Sequence, residues 1–465
     1  MTYSEDMRKF KDSLKDKQTL VVGMARTGTA VAEFLARLGA RVTATDVKAE
    51  DELGFAPQRL RSLGVEVETG GHSFGSFHRA DLIIVSPGVD PAMPYLQDAR
   101  KKRIPTVGEI ELASWYIRSP IIAITGSNGK STTTALIGHI LSRGEKRVFV
   151  GGNIGTPLTK CLLEGYEPDY VVAEISSFQL ESVCEFRPWI ALLLNLVEDH
   201  LDRHASFSSY AAVKGRIFRN QAAGDWAVIN TDDGAVRKLV PQIKAQVFPF
   251  GEKRNRPRGI WLEDSGIVMA SSDDGVEQRI SLQDVKIIGR HNVENIMAAV
   301  GAVTICGLHG EIIQEAVNDF PGLEHRLEFV GEWDDIAVYN DSKATNVSST
   351  LTALKSFTRP VVLLAGGRDK GADFSMLRQA VKERVRDLIL IGEARDKIQA
   401  SLRDLVPTHL VEDMDEAIRL AWKVARRGDA IVLSPACASF DMFTDYAERG
   451  NIFKSIVIKV TGGVT

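Results

Sequence analysis

Short apolar runs alternate with amphipathic, helix-like stretches along the whole chain. QTLVVGM (18–24) reads as a strand, TGTAVAEFLARLGA (27–40) as a helix and RVTATD (41–46) as the next strand. The alternation continues through DLIIVSPG (81–88), PIIAITG (120–126), YVVAEISS (170–177), WIALLLNLV (189–197) and WAVINTDD (226–233). Near the end come IAVYNDS (336–342), PVVLLAGG (360–367), DLILIGE (387–393) and AIVLSPA (430–436). Strands covered on both faces read as unbroken Val/Ile/Leu runs, and helical spacers between them imply parallel crossovers. The fold class is therefore α/β with parallel sheets. Residues 251–280 break the rhythm. A polar, basic GEKRNRPRG precedes alternating positions, which predicts a β-hairpin embellishment of the middle domain.

Length and punctuation divide the chain. At about 150 residues per domain, 465 residues make roughly three. One boundary falls at 106–109, before an apolar run leading to a Gly-rich loop. The other falls at 319–323, where DFPGL ends a helical segment with a Pro-Gly pair. The expected domains are 1–108, 109–320 and 321–465. With 44% apolar and 25% charged residues the chain is an ordinary globular one. A formal charge of -4 argues against nucleic acid as a partner. The cysteines, at 161, 184, 306 and 437, show no CxxC pairing, so a disulfide framework or zinc finger has no support and a reducing cytoplasm is expected. The first twenty residues are charged and carry no leader-like run, and no stretch approaches the roughly 18 apolar residues of a membrane span.

The densest chemistry is TGSNGKS (125–131), set between the strand IIAI and a helix beginning near Thr133. Glycines let backbone N–H groups wrap phosphate oxygens, and the helix N-terminus adds its positive end. Gly126, Ser127, Asn128, Gly129 and Thr132 are expected to line the phosphates, with Lys130 on the β/γ-phosphates and the Ser131 hydroxyl on Mg2+. The loop is GxxGKS, shorter than the usual GxxxxGKS. ATP or GTP binding follows, but the loop alone names no reaction. Glu174, closing YVVAE, is a second hard-oxygen ligand for Mg2+ at a strand end. His200 and His204, four apart, would allow zinc on a helix face, but no HExxH pattern or cysteine supports it. VVGMARTG (21–28) joins a strand to a helix, with Asp46 closing the next strand. It invites a dinucleotide reading, although GxxxxG is a weak form of that signal.

TGSNGKST resembles the loop of the Mur ligase family, which includes the cytoplasmic peptidoglycan ligases and folylpolyglutamate synthase. GGNIG (151–155), EISSFQL (174–180), EDHLDRH (198–204), GRHNVEN (289–295), EHR (324–326), YNDSKATN (339–346), GGRDKGADF (366–374) and LSPACASFD (433–441) agree in order, from about residue 22 to 450. NDSKATN and SPACASFD are similar to the branch that adds D-glutamate to UDP-N-acetylmuramoyl-L-alanine. The DNPR-like segment of the diaminopimelate- or lysine-adding relatives is not seen.

The resemblance implies three domains: a Rossmann-like N-terminal domain holding the UDP substrate, a central P-loop ATPase-like domain, and a Rossmann-like C-terminal domain holding the amino acid. It implies ATP, two Mg2+ ions, small-molecule substrates and a monomer. The carrier would meet Ala25, Arg26, Thr27, Asp46, Val47, Lys48, Ser86, Gly88 and Asn153. His200 would join Glu174 at the second Mg2+, together with a carbamate on Lys214 that replaces a repelling ammonium with an oxygen ligand. Asn292, Asn295, Asp341 and Lys343 are further nucleotide contacts, with His325 near the adenine and Arg326 on the γ-phosphate. Thr345 and Lys370 suit the α-carboxylate of the incoming amino acid, and Ser439 and the backbone near Tyr446 its distal carboxylate. The implied reaction activates a carboxylate as an acyl phosphate. Three rivals stay open: a relative adding another amino acid, such as L-glutamate to a folate; a dinucleotide-dependent oxidoreductase; and a regulatory NTPase.

Overall fold

The computed structural model describes residues 10–165, 167–199, 203–204, 206–253, 258–263, 266–271, 277–369 and 371–462. Three sheets carry the chain. The first holds β1 (Gln18–Val22), β2 (Arg41–Thr45), β3 (Glu66–Glu68), β4 (Leu82–Val85) and β5 (Thr106–Gly108), in the order β3-β2-β1-β4-β5, all parallel. The order reverses at β1, so the ends of β1, β2 and β4 flank one crevice.

The second sheet contains β6 (Ile121–Thr125), β7 (Val148–Gly152), β8 (Tyr170–Glu174), β9 (Ile190–Leu193), β10 (Trp226–Asn230), β11 (Gln246–Gly251), β12 (Gly259–Glu263), β13 (Ile267–Ser271) and β14 (Glu277–Ser281). Its order is β14-β13-β12-β11-β10-β9-β6-β8-β7. Every residue of β6 and β9 is buried, which explains their unbroken apolar runs. The expected hairpin embellishment is a three-stranded antiparallel meander, β12–β14. It extends the sheet by parallel pairing of β12 with β11.

The third sheet contains β15 (Glu328–Trp333), β16 (Ile336–Asn340), β17 (Val361–Gly366), β18 (Val385–Ile391), β19 (Thr408–Leu410) and β20 (Ala430–Leu433), in the order β15-β16-β20-β17-β18-β19. It is parallel except for β15, which the sequence reading missed and which pairs antiparallel with β16. EFVGEW is charged and only half-buried, so it lacks the apolar signature of the other strands.

The chain forms two compact units. One runs to Ser281 and resumes at Glu294–Ala316; the other is Leu282–Val293 with the chain from Val317 onward. The first unit contains both of the first two sheets, joined through buried carboxylates. Glu111, on the helix Glu109–Ser114 after β5, is fully buried. It accepts the N–H groups of Cys184, Glu185 and Phe186 at 2.9–3.0 Å and the Trp115 indole N–H at 3.1 Å. Four donors offset a desolvation penalty of several kcal/mol. Glu109 accepts from Thr159 N at 2.7 Å, and Glu33 meets Lys160 at 3.3 Å.

Candidate active site

The phosphate loop leaves the buried end of β6 and enters the helix Lys130–Arg143. Gly129, the N-cap, has φ +83, and a Cβ there would lie 2.1 Å from Asn295 Oδ1. Both backbone conformation and space therefore require glycine. Thr133 Oγ1 donates to the same Asn295 oxygen at 3.3 Å. Ser127 Oγ accepts from Val197 N at 3.0 Å and lies 2.9 Å from the Tyr210 hydroxyl. Lys130 folds back on the loop, its Nζ 2.9 Å from Gly126 O and 2.8 Å from Ser127 O.

Glu174 ends β8, directly opposite Ile124 of β6. It is 1% exposed. Asn153 Nδ2 donates to its Oε1 at 2.8 Å, while Oε2 is buried with no hydrogen-bond partner among the described residues. A hard, unsatisfied carboxylate oxygen beside a Lys-Ser phosphate loop fits Mg2+ with nucleotide. Lys214 comes to the same place from the helix Phe207–Gly215, 2% exposed, with Nζ 2.9 Å from Gly126 O and 4.9 Å from the centre of the Tyr210 ring. Burial, and then the charge of Lys130, lower its pKa to about 7, against the pull of Asp199 and Glu174.

His204 is buried, 3.2 Å from Ser177 Oγ, and packs on Phe178 and Tyr210. Among the described residues no cluster of three His, Cys, Asp or Glu could hold a metal ion. His200 lies outside the described residues.

At the crevice of the first sheet, buried Asp46 shapes two loops: Oδ2 accepts from Met24 N at 2.6 Å and Oδ1 from Lys48 N at 3.0 Å. Ser86 Oγ donates to Gly23 O at 3.2 Å, bringing in the loop after β4. Ala25, Arg26, Val47, Lys48 and Gly88 are exposed and Thr27 is half-buried. Arg26 donates to the carbonyl of Gly155, which links this edge to the loop containing Asn153. A cavity of about 320 Å³ adjoins the crevice, lined in part by Ser86, Pro87, Phe178, Gln179 and Glu181. It lies between the crevice of the first sheet and the segment that follows Glu174.

In the other unit, Asp341 is buried after β16, accepting from Ser434 Oγ at 2.8 Å and Leu327 N at 3.1 Å. Burial raises its pKa to about 7. Lys343 and Arg326 are exposed, and Lys343 Nζ lies 5.4 Å from the centre of the Tyr446 ring. His325 is buried, its Nδ1 2.9 Å from Asn340 Nδ2 and its ring against Tyr446. Asn292 sits in the segment belonging to this unit, donating to Ile288 O at 2.7 Å, whereas Asn295 belongs to the first unit. Thr345 is half-buried, Ser439 is buried and Tyr446 is 36% exposed. Lys370 lies outside the described residues.

Sequence reasoning missed the residues that hold these loops in place. Arg449 is 1% exposed and donates to Ser342 Oγ, Ser342 O, Cys437 O and Ala438 O at 2.8–3.3 Å. One guanidinium thus joins two strand-end loops to the helix Tyr446–Thr461. Asn195 lies against the phosphate loop. Its signal was a lone amide interrupting the apolar run WIALLLNLV.

Three family descriptions match the chain in order: "Mur ligase MurD-like, N-terminal domain" over 17–108, "Mur ligase middle domain" over 124–303 and "Mur ligase, glutamate ligase domain" over 325–437. A UDP-N-acetylmuramoylalanine--D-glutamate ligase of Geotalea daltonii is 45% identical over 97% of this chain and 99% of that protein. One of Citrifermentans bemidjiense is 46% identical over 96% and 98%. Among solved structures, UDP-N-acetylmuramate-alanine ligase MurC of Thermotoga maritima is similar at a TM-score of 0.57 and 21% identity, covering 96% of this chain and 100% of that one. MurF of Acinetobacter baumannii is similar at 0.60 and 16%, covering 94% and 93%. At these identities the two structures carry the fold alone.

Proposed function

Because this chain belongs to the Mur ligase family, we propose that it is an ATP-dependent ligase adding D-glutamate to UDP-N-acetylmuramoyl-L-alanine in peptidoglycan precursor synthesis. The observation that carries the chemistry is the buried Glu174, with one unpartnered oxygen, on the strand next to the Lys-Ser phosphate loop. The named relatives, matched along almost their full length, support the substrates.

A free carboxylate resists attack because it is anionic and lacks a leaving group. In the proposed reaction a carboxylate oxygen of the carrier attacks the γ-phosphorus of ATP, the bond to the bridging oxygen breaks, and ADP leaves. Lys130 gives up the carbonyls of Gly126 and Ser127 to follow the transferring phosphoryl group, and Arg326 offsets its charge. The amine of D-glutamate attacks the acyl carbon, loses a proton, and the tetrahedral adduct expels phosphate to leave the amide. Mg2+, when bound, would neutralise phosphate charge. Ser131 and Glu174 would hold one ion, and Glu174, His200 and a carbamate on Lys214 a second.

The division of labour is 1–108 for the carrier, 109–320 for ATP and 321–465 for D-glutamate. The carrier's UDP sits on the residues around Asp46, Arg26 and Ser86, with Asn153 at the passage towards Glu174. Asn292, Asn295, His325, Asp341 and Lys343 surround the nucleotide. Thr345, Lys370, Ser439 and Tyr446 hold the amino acid. The enzyme works as a cytoplasmic monomer. Among the described residues no helix is long and apolar enough to cross a membrane.

The test mixes ATP, Mg2+, carrier and amino acids. Phosphate release must require both the carrier and D-glutamate, and oxygen-18 from the carrier's carboxylate must appear in the phosphate. Turnover with L-glutamate and a folate instead, or turnover without any amino acid, would replace this reading.

A further inference from the structure

The phosphate loop is held by a residue that belongs to neither the loop nor its helix. β9 runs beside β6 with Leu193 opposite Thr125, and the chain then continues past the loop. Leu194 N donates to Thr125 O at 3.1 Å, and Ser127 N donates to Asn195 O at 2.9 Å. The Asn195 side chain grips the next residue twice. Its Oδ1 accepts the Asn128 N–H at 2.8 Å, and its Nδ2 donates to the Asn128 carbonyl at 3.2 Å. A primary amide presents an acceptor and a donor side by side, which a carboxylate or hydroxyl does not.

These bonds decide which loop amides can face a ligand. The N–H groups of Ser127 and Asn128 are both taken up by Asn195. The first amides of the helix Lys130–Arg143 have no acceptor within the helix, and a helix N-terminus suits phosphate oxygens. The bonds are also independent of Lys130. That lysine must release Gly126 and Ser127 to reach a phosphate, and the loop would otherwise lose two of its ties as it does so.

We infer that Asn195 is a positioning residue for the phosphate loop: by engaging both polar groups of Asn128 it presents the later amides to the terminal phosphates of the nucleotide. This rests on the ATP-binding reading above. The two side-chain bonds, each contributing on the order of 1 kcal/mol net, correspond to roughly a tenfold or greater effect on triphosphate affinity.

The experiment compares wild type, Asn195→Ala and Asn195→Gln by calorimetric titration with ATP–Mg2+ and with AMP, beside steady-state KM for carrier and D-glutamate. Asn195→Ala is expected to weaken ATP about tenfold or more while AMP affinity and both other KM values stay within about twofold. Asn195→Gln, which keeps the amide on a longer stem, recovers part of the loss. ATP binding by Asn195→Ala at wild-type strength overturns the inference, as does an equal loss for AMP and ATP. Wild-type protein that binds ATP but fails to couple it to D-glutamate addition would instead count against the proposed reaction, leaving the Asn195 comparison readable.

Discussion

Lys214 Nζ lies 2.9 Å from the carbonyl oxygen of Gly126, so a buried amine is pressed against the first glycine of the phosphate loop. Burial brings its pKa down to about 7, and a large share of the amine is neutral at physiological pH. A neutral amine can add to CO2, and the resulting carbamate carries the charge that a metal site needs. With 13C-bicarbonate, NMR should show a carbamate resonance in wild type that is missing in Lys214→Ala, and the variant should lose about 100-fold in turnover. The folded-state value is below the unfolded one. The folded protein therefore binds fewer protons between pH 7 and 10.5, and this lysine's contribution to stability rises with pH across that window. A protein without the resonance at full activity would remove the carbamate.

Glu174→Gln separates charge from shape. The amide preserves the contact with Asn153, and removal of a buried anion should leave the melting temperature equal or slightly higher. The Mg2+ concentration for half-maximal turnover should rise by about tenfold or more. An unchanged Mg2+ dependence would take Glu174 out of the metal site.

Gly129→Ala meets two obstacles: a left-handed backbone, costing about 1 kcal/mol, and the Asn295 oxygen in the path of the new methyl group. Nucleotide binding should be lost while the first sheet remains folded. Protection of β1 and β4 in hydrogen exchange checks the second half, and ATP titration the first.

Much of this was readable in advance, for a physical reason. Strands such as β6, β9, β17 and β20 are buried along their whole length, so their sequences can contain little but apolar residues. The phosphate loop was legible because glycine and Lys-Ser at that spacing have few other uses. What escaped was work done by single polar side chains on distant backbone. Glu111 taking the amides of 184–186, Arg449 taking the carbonyls of 437 and 438, and Asn195 holding Asn128 leave no periodic trace. β15 escaped because an antiparallel edge strand can be charged, and the bond from Asn153 to Glu174 is one more contact of this single-side-chain kind.

Glu109 offers a pH test outside the catalytic groups. It is buried, accepts Thr159 N, and has its pKa raised to about 7, with burial the largest cause. The folded protein thus binds more protons than the unfolded chain between pH 4.5 and 7, and this residue's contribution to stability declines as pH rises through that window. Glu109→Gln should flatten that part of the denaturation profile. An unaltered slope in urea titrations from pH 5 to 7 would show that another group is responsible.

The carboxylates of Glu33, Glu109 and Glu111 fasten the first sheet to the second before any substrate arrives. Under the proposed function, the distance from the carrier's nucleotide site to the phosphate loop is then a property of the folded chain rather than of each encounter. Ordering entropy for that span is spent once, during folding, and every later turnover starts with those two stations already aligned.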